Sequence, residues 1–242
     1  MATAYSDYSI QLQNDLRGTS ALDSGGKFLV IQAGLTAKQT LYDPDNGYAS
    51  LSNPITPTRG RLRFATLSTV DKVDIYGFTG DGCFVVRKNV YPGREAEIFY
   101  DPHQSAQTAV IPVLGSDYTA ASENDCGLDF PAGALVIPEP FIRVTVNQSS
   151  KTIDVGLLSS ESGGDADGFL VAASLNATGT IKGSVTGTDT LGALVKEDTN
   201  GSTVYVPMGA AIASAVSITF TPSSGTTTGA CFIYLPYRRL LN

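Results

Sequence analysis

The amino-acid sequence predicts an all-β protein, with an antiparallel, jelly-roll-like β-sandwich in its C-terminal part and a smaller β-rich N-terminal part. Three observations carry that prediction. Apolar residues recur with a period of two, as in Phe141-Ile142-Arg143-Val144-Thr145-Val146, which is the mark of a half-buried strand. Prolines stand at the ends of the apolar runs, at Pro138, Pro140, Pro207, Pro222 and Pro236, where a missing N–H does least harm to a ladder. Ser, Thr, Gly, Val and Ala dominate and long stretches of helix formers are missing, with 42% of residues hydrophobic and 16% charged; that is the balance of a strand-rich, turn-rich chain. At 242 residues the chain can bury a substantial core. It divides into an N-terminal arm (1–26), a small antiparallel β domain (27–103) and a β-sandwich domain (104–242).

In chain order, residues 1–26 are polar and mixed and end in Ser24-Gly25-Gly26. Tyr8, Ile10 and Leu12 supply apolar surface with which such an arm would dock on a neighbour. Lys27 to Gln32 is a strand by its apolar and β-branched content, and Asp43-Pro44-Asp45-Asn46-Gly47 and Asn53-Pro54 are turn signals. Arg61 to Phe64 alternates. Val73 to Phe78 and Cys83 to Lys88 flank Thr79-Gly80-Asp81-Gly82; a four-residue loop sets Tyr76 against Val85 and Asp74 against Arg87. Ala96 to Tyr100 is a further strand, and His103 to Ala121 reads as a crossing.

From Phe130 onward short strands recur at Ala134–Ile137, Phe141–Val146, Thr152–Leu157, Phe169–Ala173, Val204–Val206, Val216–Thr221 and Ala230–Leu235. Polar Asn147-Gln148-Ser149-Ser150 invites a hairpin that sets Val144 against Ile153 and brings Arg143 opposite Asp154. One short helix is expected at Asp189 to Lys196, capped by Thr188 or Asp189. The C-terminal Tyr237, Arg238 and Arg239 form a second segment expected to lie across a partner.

Chemistry-bearing motifs are sparse. A net charge of −7 lacks the basic stripe of a nucleic-acid binder, and the chain reads as soluble, with neither a signal peptide nor a membrane span. Cys83, Cys126 and Cys231 are widely spaced and odd in number, so buried thiols are expected rather than disulfides or zinc. His103 is the single histidine, and no Gly-x-Ser-x-Gly elbow accompanies it, which disfavours triad chemistry. Glu161 followed by Gly163-Gly164-Asp165-Ala166-Asp167-Gly168 offers oxygen ligands suited to calcium, without the length or terminal Glu of an EF-hand loop; a tight turn with aspartates bonded to local N–H groups is the stronger reading. No catalytic residue, cofactor or metal is assigned.

Three stretches are familiar: Thr40-Leu41-Tyr42-Asp43-Pro44-Asp45-Asn46-Gly47, then Leu51-Ser52-Asn53-Pro54-Ile55-Thr56, then Arg59-Gly60-Arg61-Leu62-Arg63-Phe64. Together they resemble a pattern of tailed-bacteriophage virion proteins, and Ile153-Asp154-Val155-Gly156 with Gly164 to Phe169 looks like β-rich capsid-associated proteins. The resemblance implies a non-enzymatic particle component, a capsid decoration (cement) protein. Its implied partners are the major capsid protein and copies of itself, usually as a homotrimer. It implies assembly in the host cytoplasm and a place on the capsid surface of the virion. A tail, fibre or head-fibre adaptor is the alternative, and a β-sandwich carbohydrate-binding or hydrolytic module is the third.

Overall fold

The computed structural model describes residues 3–14, 26–100, 106–115, 121–184, 190–198, 205–207, 211–223 and 229–239. These residues form an all-β protein built of mostly antiparallel sheets, with no α-helix among them. The chain divides into two compact units, Met1–Gln104 and Ser105–Asn242.

The N-terminal unit contains β1 (Tyr5–Asn14), β2 (Lys27–Gln32), β3 (Leu41–Asp43), β4 (Ala49–Leu51), β5 (Arg61–Leu67), β6 (Val73–Phe78), β7 (Phe84–Val90) and β8 (Glu95–Tyr100). A five-stranded sheet has the order β4-β3-β5-β1-β8 and a three-stranded one the order β2-β6-β7. The two close on one core, in which Tyr8, Ile10 and Leu12 meet Phe28, Val30, Leu62, Phe64, Ile75 and Val85. The segment expected to be an arm is therefore a central strand. β1 lies between β5, antiparallel, and β8, parallel, and its apolar residues are consumed inside its own unit.

β6 and β7 form the expected hairpin, shifted by one residue. Phe78 faces Phe84, Tyr76 faces Val86 and Ile75 faces Arg87. The loop holds one residue more than expected: Thr79 donates its N–H to the Cys83 carbonyl at 2.8 Å, and Gly82 takes the left-handed conformation (φ 81°) that glycine adopts without steric cost. Asp74 thus does not meet Arg87.

The C-terminal unit contains β9 (Ala106–Leu114), β10 (Asn124–Phe130), β11 (Ala134–Val136), β12 (Phe141–Val146), β13 (Thr152–Leu157), β14 (Asp165–Ser174), β15 (Gly179–Lys182), β16 (Thr190–Leu191), β17 (Lys196–Asp198), β18 (Tyr205–Pro207), β19 (Val216–Pro222) and β20 (Ala230–Arg239). One sheet runs β10-β19-β13-β14-β16; the other runs β11-β20-β12-β15, with β9 along the opposite side of β20. Phe130 of the first sheet packs edge-on against Tyr237 of the second, with ring centroids 5.3 Å apart, as the inner faces of a sandwich do. β17 and β18 form a separate ribbon. β9, expected as a crossing, pairs with β20 from Ala106 to Leu114 and carries Pro112 on its edge position.

The hairpin expected between Phe141–Val146 and Thr152–Leu157 is not formed. β12 pairs with β15 and β20, whereas β13 pairs with β14 and β19, so Arg143 and Asp154 belong to different sheets. The five-residue link, Asn147 to Lys151, is an arch across the sandwich. Alternation allows both arrangements, because Ile142 and Val144 bury against the core whether Ile153 and Val155 sit beside them or across from them. In the arch each strand still has two neighbours, β15 and β20 for β12 and β14 and β19 for β13, and the link is tied down by the Gln148 N–H donating to the Leu175 carbonyl at 2.7 Å.

The helix expected at Asp189–Lys196 is replaced, over its described residues, by β16, a turn and the start of β17. The Gly192 and Leu194 N–H groups donate to the carbonyls of Phe169 and Gly168, so this backbone spends its donors on β14 instead of on itself. Asp189 lies outside the described residues.

Candidate interaction surface

The most built surface is the outer face of the five-stranded sheet, opposite its core. The alternation that buries Tyr8, Ile10 and Leu12 turns Tyr5, Asp7, Ser9 and Gln11 outward, and on β5 it turns Arg61 and Arg63 outward beside them. Register then sets Arg63 beside Ser9 beside Glu95, and Arg61 beside Gln11 beside Glu97. Arg61 Nε donates to Gln11 Oε1 at 3.3 Å and reaches Glu95 at 4.0 Å. Gln13 donates to Glu97 at 2.6 Å, and Arg63 pairs with Asp45 at 2.9 Å.

Short Ser9 between long neighbours leaves a hollow of about 340 Å³ bounded by Asp7, Arg61, Arg63, Arg94 and Glu95. A second hollow, about 460 Å³, adjoins it through Arg94 and Glu95 and is walled by Arg87, Asn89, Tyr91 and Glu97. At one end of the same face three tyrosines cluster: Tyr48 stacks on Tyr5 at 4.2 Å, and Tyr42 meets Tyr5 edge-on at 4.9 Å. Desolvation, and then the Asp7 carboxylate bonded to it, raise the Tyr48 hydroxyl above its ordinary pKa. Tyrosine and arginine on one face are the side chains enriched at protein–protein contacts.

The familiar Leu51-Ser52-Asn53-Pro54-Ile55 stretch has a structural task here. Asn53 Oδ1 accepts from the Val30 N–H at 3.0 Å, and its amide donates to the carbonyls of Val30 and Gln39 at 2.6 and 2.8 Å. Ile55 exchanges both backbone bonds with Phe28. Together they cover the open edge of β2, which would otherwise be a template for foreign strands.

Asp74 and Asp154, expected to face arginines, perform a common task instead. Asp74, 2% exposed, accepts from the Asn89 N–H at 2.8 Å, from Lys88 Nζ at 3.0 Å and from the Gly34 N–H at 3.2 Å. Asp154 accepts from the Ala172 N–H at 2.7 Å. Asn89 (φ 55°) and Ala172 (φ 52°) are left-handed residues at register shifts, so each aspartate satisfies the stray donor of a β-bulge on the adjacent strand. Arg87 and Arg143 point to solvent. Tyr237, expected at an interface, is buried in the sandwich and donates to Gln107 at 2.7 Å; Arg238 is exposed and Arg239 half-buried.

The acidic loop belongs to a wider rim of the C-terminal unit. Glu123 accepts from the Ser159 N–H at 2.8 Å and from its hydroxyl, Asp125 from the Gly127 N–H at 2.6 Å, and Glu161 from the Ser217 N–H at 2.8 Å. Desolvation, and then the hydrogen bond and charge of Asp167, raise the Asp165 pKa. Among the described residues no group of three His, Cys, Asp or Glu is arranged to hold a metal ion. All three cysteines are buried, and burial pushes the Cys231 thiol up to about 12. His103 lies outside the described residues.

No family model and no curated protein matches the chain. Among solved structures it is weakly similar to that of the Gx strain of infectious bursal disease virus, with 11% identity, a TM-score of 0.18, and 97% of this chain and 56% of that chain covered. The structure of the Gt strain gives 12% identity, a TM-score of 0.15, and 98% and 60% coverage. The chain thus spans less than two thirds of either, and likenesses this slight bear no weight.

Proposed function

We propose that this chain is a non-enzymatic structural component of a tailed-phage virion, a decoration protein that binds the head shell and reinforces it through contacts between β domains. The observation that carries the adhesive part is the outer face of the five-stranded sheet. Arginines, tyrosines and carboxylates alternate there on a rigid pleated support, which suits recognition of another protein surface. The virion part rests on the stretches between Thr40 and Phe64, which resemble phage virion proteins. Asn53 and Ile55 within them cover a sheet edge and so limit unwanted strand pairing at high local concentration. Repetition on a symmetric shell lets contacts of moderate strength add up to firm attachment.

The test is quantitative mass spectrometry of purified particles with imaging of their heads. Decoration requires a copy number that matches the shell lattice and density on the capsid surface. A handful of copies confined to the tail assigns the chain to an adaptor, and absence from particles together with turnover of a sugar or ester by the monomer overturns the proposal.

A further inference from the structure

The two units are unequally charged: Met1–Gln104 holds 10 Lys and Arg against 11 Asp and Glu, whereas Ser105–Asn242 holds 6 against 12. Net charges of −1 and −6 follow. The imbalance has a local counterpart in each unit. In the larger hollow, Glu95 lies near Arg61 and Glu97 is held by Gln13. Exposed Arg87 and Arg94 have no carboxylate partner among the described residues, and Tyr91 beside them is 51% exposed. On the rim of the C-terminal unit, Glu123, Asp125 and Glu161 are bonded only to neutral serine or backbone donors, and Asp165 and Asp167 to each other. Glu123 is joined to the β13–β14 turn through Ser159, and Glu161, Asp165 and Asp167 lie in that turn or at its end. Four of the carboxylates, Glu123, Glu161, Asp165 and Asp167, are therefore gathered at one turn.

We propose that the hollow walled by Arg87, Arg94 and Tyr91 on one copy of this chain receives the carboxylate rim of the C-terminal unit of a second copy. The contact is heterologous: it uses different patches on the two partners, and it closes into a ring if its rotation permits. Arginine is suited to the role because its planar fork grips a carboxylate with two parallel bonds. Tyr91 supplies rigid contact area beside it. This deepens the adhesive reading above and rests on it; association in solution tests the contact alone, while particle copy number tests the virion role.

Sedimentation velocity of the full chain is the experiment, at low and high salt. The wild-type chain should associate at about 50 mM salt and dissociate toward monomer at about 1 M, where the screening length falls to roughly 3 Å. Arg87→Glu with Arg94→Glu should weaken association by about tenfold or more through like-charge repulsion, and Glu161→Lys with Asp167→Lys should do the same. Mixing the two charge-reversed chains should restore association, a result that misfolding of either variant does not produce. Arg143→Glu, an exposed arginine of the other unit, should change nothing. A wild-type chain that stays monomeric at low salt, association indifferent to the arginine reversals, or well-folded reversed chains that fail to pair when mixed each overturns the contact.

Discussion

Asp74 and Asp154 show what a single side chain contributes here. Aspartate is depleted inside strands, so Val73-Asp74-Ile75 and Ile153-Asp154-Val155 announce that each carboxylate has a partner. They do not announce which. An arginine opposite and a bulge N–H opposite leave the same trace in sequence, because a one-residue bulge is invisible in the alternation on either side of it. The two sites differ in depth, and that fixes an order. Asp74→Ala strands three donors around a buried position and should cost about 2–4 kcal/mol. Asp154→Ala strands one N–H and should cost about 1 kcal/mol. Denaturant midpoints rank the pair, and faster hydrogen exchange at the Asn89 and Ala172 amides localises each loss; equal costs would remove the distinction. Asp165 carries a prediction of opposite sign. Its pKa is raised above the ordinary 3.8, so its contribution to stability is fully present below that value and is lost as pH rises through the higher folded value. Asp165→Asn should therefore stabilise the protein at neutral pH, by less than about 1 kcal/mol for so partly exposed a group, and flatten stability against pH on the neutral side of the ordinary 3.8. Thermal melts across that range check the slope.

At the level of elements, many strands are legible in the sequence, but apart from the β6–β7 hairpin their partners are not. Val73–Phe78 and Lys27–Gln32 fall where their apolar and β-branched content sets them, and alternation elsewhere, as in Arg61-Leu62-Arg63-Phe64, reports which residues face a core. It says nothing of which strand lies alongside, and the arch between β12 and β13 satisfies the same pattern as a hairpin. The N-terminal strand reads as an arm for a related reason: polar Ser6, Asp7, Ser9, Gln11 and Gln13 stand out, and the alternation of Tyr8, Ile10 and Leu12 between them does not say that the core they face is their own unit's. Gly192 explains the missing helix. A Cβ there would stand 2.0 Å from the Asp167 carbonyl oxygen, far inside contact distance, so the segment lies directly on β14. Gly192→Ala should displace it and cost about 3 kcal/mol or more, in the range of severe core lesions, whereas Gly47→Ala, whose Cβ meets nothing within 4 Å, should cost only its left-handed strain. Asn53→Ala removes two bonds from the edge of β2 and a third from the Gln39 carbonyl beside it. The expected loss is about 2–3 kcal/mol, with light scattering on mild warming as the second symptom, since an uncovered edge invites association. Melting without scattering would mean that the segment at Ala37–Gln39, which also bonds that edge, suffices to cover it.

For the whole molecule, the acidic total concealed the feature that matters most. A net −7 excludes a basic stripe but says nothing of where the positive side chains gather. Folding gathers Arg61 and Arg63 with Arg94, some thirty positions on, around one hollow and Arg87 with Arg94 around the next, and the first convergence depends on the pairing of β1 with β5 and β8 that alternation cannot specify. If copies join through the Arg87–Arg94 hollow and the assembled form then decorates a shell, the two levels of binding multiply. Each copy in a linked set binds at the high effective concentration set by its neighbours, which raises apparent affinity by about 10²- to 10⁴-fold over a lone contact. Arg87→Glu with Arg94→Glu should then lower occupancy on undecorated heads by far more than the loss measured for association in solution. Titrating wild-type and variant chains onto such heads, with bound copies counted by mass spectrometry, gives the two ratios. Equal ratios would mean that each copy docks alone, leaving the face bearing Tyr5, Tyr42 and Tyr48 as the contact to the shell.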